Sequence, residues 1–153
     1  MTPEMKKKFE EYLLSNVPVM VSLGLTPQAV LSFVERVLSR EPNIAGILYS
    51  FGERYPIQSA ALQIPPLLPK ALWVDVLTND KLYEFRLKSG SFRYDVTKLE
   101  EVVGLEVEYY QEAAILIVYF EGTARQTRIT ASGNVAIELL DQYINSLRKL
   151  AKL

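Results

Sequence analysis

Three carboxylates, Asp75, Glu84 and Asp95, fall on neighbouring stretches of alternating residues, where strand pairing would set them side by side. Two more, Glu106 and Glu108, lie two residues apart and would share one face of a later strand. Paired carboxylates divide acid and base roles in a hydrolase or lyase when their surroundings separate their pKa values. Carboxylates also ligate hard cations such as calcium or magnesium. The remaining repertoire is narrow. Among the 153 residues there is neither cysteine nor histidine, which removes thiol chemistry, disulfides, the commonest general base and the commonest zinc ligand. No P-loop, GxGxxG, HExxH, GxSxG or CxxC pattern occurs. Side chains on a pleated face run parallel rather than converging on an ion, and no glycine-turned loop completes a cation shell. Accordingly no catalytic residue, no metal ligand and no cofactor is assigned from the sequence.

Charge narrows the partners. The formal net charge of -1 gives no general attraction for a nucleic-acid backbone, which needs clustered Lys and Arg. Tyr83, Phe85, Phe92 and Tyr94 alternate with Arg86 and Arg93, so the aromatics and the arginines point to opposite sides and make no stacking platform. Nucleic acid is therefore not an expected partner. No run of 18 apolar residues is present, and the start MTPEMKKKFEEYLLSN places Glu10 and Glu11 directly after its lysines, so neither a span nor a signal peptide is expected and the location expected is cytoplasmic.

The carboxylates depend on a meander for their placement. Leu72–Thr78, Lys81–Lys88 and the stretch through Phe92, Tyr94 and Val96 alternate, with Asn79-Asp80 and Ser89-Gly90 as two-residue turns. With those turns, Val76, Tyr83 and Val96 form one row, and Val74, Phe85 and Tyr94 the next. On the other side Asp75, Glu84 and Asp95 form a row beside Trp73, Arg86 and Arg93, which reads as a solvated face with a contact between Arg86 and Trp73. Val102–Tyr110 and Ala113–Glu121 make a further hairpin around Gln111-Glu112, and Ala124–Ile129 a last strand. AAILIVYF is apolar on both sides, so Ile115 and Ile117 need a cover, either the N-terminal helices or a second subunit.

Helices flank these strands. Thr2-Pro3 and Thr26-Pro27 are helix starts, for helices to about Leu14 and about Arg40, and Asn16–Gly24 reads as a connector because of Pro18. Ile44–Tyr49 and Ile57–Ile64 read as extended, and PPLLP as a packed crossover. The terminal stripe Ala136, Leu140, Tyr143, Leu147, Leu150 is the clearest amphipathic helix. The expected division is a helical lobe over residues 1–43 that packs on a strand-rich unit over residues 44–153. The aromatic and branched side chains between Val74 and Val96 are expected to point at the terminal helix.

VDVLTNDKLYEF at Val74–Phe85, FRYDVTKLEEVVGLEVE at Phe92–Glu108 and the terminal ASGNVAIELLDQYINSL carry a resemblance. Over Ile44–Leu153 the chain resembles the bacterial pleckstrin-homology-like (PH-like) family. That resemblance implies an α+β fold: an antiparallel β-barrel closed by a C-terminal amphipathic helix. It makes Leu77-Thr78-Asn79 and Lys81-Leu82 the first turn and its flanks, and Val96-Thr97-Lys98-Leu99-Glu100 the bend before the next strand. The family has no uniform ligand. Relatives that bind phosphoinositides use a basic cluster in the first loop, where this chain has Asp80 and Lys81.

The function expected is a noncatalytic protein-interaction or scaffold domain that self-associates, with the Ile115 and Ile117 strand face as the contact. The alternatives are a hydrolase or lyase working through the acidic residues, and a lipid or membrane-surface module.

Overall fold

The computed structural model describes residues 1–52, 71–110, 113–122, 126–132 and 134–153, with side chains at 52, 113, 126–132 and 134–137 left aside. The expectations for Ile57–Ile64, PPLLP and Gln111-Glu112 lie outside the described residues. In chain order the elements are α1 (Pro3–Leu14), α2 (Val17–Ser22), α3 (Pro27–Val37), β1 (Ile44–Gly52), β2 (Ala71–Thr78), β3 (Lys81–Lys88), β4 (Ser91–Lys98), a 3-10 turn (Leu99–Glu101), β5 (Val102–Tyr109), β6 (Ala113–Phe120), β7 (Gln126–Ser132) and α4 (Asn134–Leu150).

Local chemistry accounts for the helix starts. The Thr2 hydroxyl accepts from the Met5 amide at 3.1 Å and the Thr26 hydroxyl from the Ala29 amide at 3.2 Å, caps worth about 1 kcal/mol each. The connector expected at Asn16–Gly24 instead contains α2, because Pro18 stands in its first turn, where no amide is needed. Gly24, with φ +67°, ends this segment. A Cβ there would lie 2.5 Å from the Cβ of Ser89, whose amide donates to the Leu23 carbonyl at 2.9 Å. Glycine thus permits both the left-handed turn and the close approach of the helices to the β3–β4 turn.

The strands form two antiparallel sheets, β1-β2-β3-β4 and β5-β6-β7. The registers of β2–β3 and β3–β4 follow the two-residue turns, with Val76 opposite Tyr83, Tyr83 opposite Val96, and Phe85 between Val74 and Tyr94. The α+β class and the antiparallel strands hold, whereas no closed barrel is found among the described residues.

The first sheet is a middle layer with a core on each side. On one side Val74, Val76, Phe85 and Leu87 meet Phe9, Leu13, Met20, Val30 and Val34. Aromatic pairs stitch this contact: Phe9 on Tyr49 at 4.9 Å, Phe33 against Phe92 at 5.2 Å and against Phe85 at 6.1 Å. Such pairs add about 0.5–1.5 kcal/mol each to the gain from area alone. The aromatic side of the meander therefore faces α1–α3, not the terminal helix as the alternation suggested. Tyr94 and Val96, at its margin, remain 46% and 45% exposed.

On the other side Leu48, Leu77 and Leu82 meet Leu116, Val118 and Phe120 of the second sheet and Leu140, Tyr143, Ile144 and Leu147 of α4. This corrects the reading of that side as solvated. Asp75 is fully buried, Glu84 is 8% exposed and Thr97 is 2% exposed. The physical reason is that three leucines share the side with the charges, and their apolar area has to be covered. Arg86 does lie over the Trp73 ring, at 5.9 Å.

Candidate interaction site

β5 is an edge strand of the second sheet, and among the described residues no strand pairs with its outer side. Alternation turns Val107 and Tyr109 toward the layer that holds α4, since their cross-strand neighbours Leu116 and Ala114 belong to the second core. On α4, Asp141, Ile144, Asn145 and Arg148 recur at helical spacing on the side that meets them. Between the two elements lies a groove of about 490 Å³ lined by Val107, Tyr109, Asp141, Ile144, Asn145 and Arg148. The Tyr109 hydroxyl donates to Asp141 Oδ1 at 2.9 Å across one end. That hydrogen bond, followed by partial burial, raises the Tyr109 pKa, while Arg148 pulls it down. A strand edge open among the described residues, the half-buried Val107, and one acidic and one basic residue two helical turns apart can hold a backbone, a small side chain and polar ends.

A second concavity, of about 410 Å³, lies where α1, β1 and α4 meet; Met5, Lys8, Gly46, Gln142 and Tyr143 are among its lining residues. Lys8 there pairs with Glu4 at 3.4 Å.

The carboxylates singled out by sequence are only partly brought together. Asp75 faces Glu84, and Glu84 faces Asp95, across the strands. The first two are buried and Asp95 is exposed, and neither cavity just described opens onto them. Glu106 and Glu108 are exposed, and both take hydrogen bonds from tyrosine hydroxyls, from Tyr119 and, at 2.8 Å, from Tyr110. Among the described residues no group of three acidic side chains could hold a metal ion. Nor is any described helix long and apolar enough to cross a membrane.

Ile115 and Ile117 are each 6% exposed, although they lie outside both cores. Little of either side chain is left accessible in the single chain, while their cross-strand neighbours Glu106 and Glu108 are exposed. The N-terminal helices, the other cover considered, sit on the first sheet instead.

The groove between β5 and α4 escaped the sequence reading. Alternation in GLEVEYY and the period of α4 were both visible, but the angle at which the helix leaves β5 uncovered has no local signature. No protein-family model and no curated protein matches this chain.

Proposed function

We propose that this chain is a noncatalytic interaction module of PH-like architecture that binds an extended peptide along β5, against α4. The observation that carries the reading is the groove of about 490 Å³ between a strand edge that no described strand pairs and an amphipathic helix. A peptide added to β5 gains main-chain hydrogen bonds from the edge, and its alternate side chains reach Val107 and Tyr109. Asp141 and Arg148 favour a peptide that carries charges of both signs. The PH-like reading draws on the order of elements, a four-stranded meander, a three-stranded sheet and a terminal helix, with the closure between sheets left open. A scaffold role suits two tightly packed cores that hold the groove in place.

The test is selection of peptides from a random displayed library on the purified protein, followed by binding measurements on Val107→Glu and Arg148→Glu variants, both checked for native circular dichroism. Selected peptides are expected to lose about tenfold or more in affinity on either variant. Backbone amide shifts on binding are expected to concentrate in residues 102–109 and 138–148. Peptides that bind both variants as well as the parent protein would overturn the reading.

A further inference from the structure

The opposite edge of the first sheet carries a second, independent surface. β4 runs for eight residues, SFRYDVTK, in unbroken register with β3, and no described strand pairs with its outer side. Of the usual defences of an edge it has charged side chains, Arg93, Asp95 and Lys98, but not the others. It has no proline and no bulge, whereas β1 and β5, edge strands like it, are each interrupted by a register shift.

Which backbone groups face outward follows from two hydrogen bonds. The Leu99 amide donates to the Asp80 carbonyl at 2.9 Å, so alternation turns the odd residues of β4 toward β3. The even residues then face out, and the Lys98 amide does so, capped by Glu101 Oε2 at 3.3 Å. Phe92, Tyr94 and Val96 thus present their N–H and C=O groups along the free edge.

We propose that β4 pairs antiparallel with β4 of a second copy of this chain, about a two-fold axis at Tyr94. In that register Tyr94 exchanges both hydrogen bonds with its counterpart, and Phe92 does so with Val96 of the other copy. Arg93 falls opposite Asp95 of the other copy, twice, in the non-hydrogen-bonded positions where side chains are closest. Slipping the strands so that the axis passes through Arg93 sets two arginines face to face, and an axis at Asp95 sets two aspartates face to face. Among axes at Phe92, Arg93, Tyr94, Asp95 and Val96, only Tyr94 pairs opposite charges. The same register continues the apolar side across the junction and covers Tyr94 and Val96, now 46% and 45% exposed. Self-complementary charge on an edge without proline or bulge is what identifies the occupant as a second copy.

The inference uses β4 rather than β5, so it stands or falls apart from the peptide-binding reading. Sedimentation of the full chain tests it, with circular dichroism to confirm that each variant is folded. The parent protein is expected to sediment as a dimer. Arg93→Asp and Asp95→Arg alone each oppose like charges and should weaken the dimer at least about tenfold. An equimolar mixture of the two variants should regain it as a heterodimer, because every cross-strand pair is then of opposite sign. Arg93→Asp combined with Asp95→Arg in one chain should also regain it. A parent protein that stays monomeric at high micromolar concentration overturns the proposal. So do single variants that dimerise as tightly as the parent, or a mixture that fails to recover.

Discussion

The Tyr83 hydroxyl donates to Glu41 Oε1 at 2.6 Å, and Lys81 Nζ reaches the same oxygen at 3.1 Å. The segment after α3 is thereby tied to the middle of the first sheet. Hydrogen bonds to a charged partner contribute about 1.5–3 kcal/mol. Tyr83→Phe and Glu41→Gln, combined in a double-mutant cycle by urea unfolding, should give a coupling of about 1–2 kcal/mol, the ion pair of Glu41 with Lys81 surviving in Tyr83→Phe but not in Glu41→Gln. Additive effects would mean that the contact contributes nothing.

The same contact has an alkaline limit. Burial, reinforced by Glu41, pushes the Tyr83 phenol from its ordinary 10.0 up to about 12. A raised pKa means that the folded state keeps a proton the unfolded chain releases. The stabilisation is therefore complete below pH 10 and is lost between pH 10 and about 12. Burial also lifts Tyr12 to about 12, so the parent protein carries more than one such term. Melting temperature should fall more steeply over this window in the parent than in Tyr83→Phe, and parallel curves would contradict the assignment.

Gly24→Ala should destabilise by about 1–3 kcal/mol, through both the positive φ and the 2.5 Å approach to Ser89. Adding Ser89→Gly should recover the steric part only. Thermal melts of the two variants separate the contributions.

Two cores predict two sensitive sides. Leu77→Ala should cost about 2–5 kcal/mol and Phe85→Ala about 3–5 kcal/mol, measured by chemical denaturation. A tolerant Leu77 would return that side of the sheet to solvent.

Ile115→Ala should lower stability by about 2–4 kcal/mol and leave the mass measured by light scattering unchanged. A change of mass without loss of stability would restore this residue as an interface.

The parts of the fold legible in the sequence were those set by local rules. Asn79-Asp80 and Ser89-Gly90 each leave two residues between alternating runs, which fixes both registers and every cross-strand pair from Leu72 to Lys98. The helix starts were legible for the same reason, since Thr-Pro announces a capped first turn. Pro18 misled because proline breaks a helix interior but fits its beginning. The partner of each sheet side was not legible: alternation says that Phe85 is inward, but not whether α1–α3 or α4 lies there. One pair of residues does bear on it. Leu77 and Leu82 share the side of Asp75 and Glu84, so that side could not be wholly solvated. The groove at β5 depends on how α4 crosses the second sheet, a long-range property that no short stretch encodes.

Because the first sheet carries a core on each side, the order of synthesis matters. Helices α1–α3 are synthesised before β1–β4, and short helices of this kind do not persist alone in water. They acquire a docking surface only when β2 and β3 have emerged, and the second side is closed last, once residues 134–150 are released. A chain arrested before that point would carry Leu48, Leu77 and Leu82 without their α4 partners, so burial of this core waits on the seventeen residues of α4.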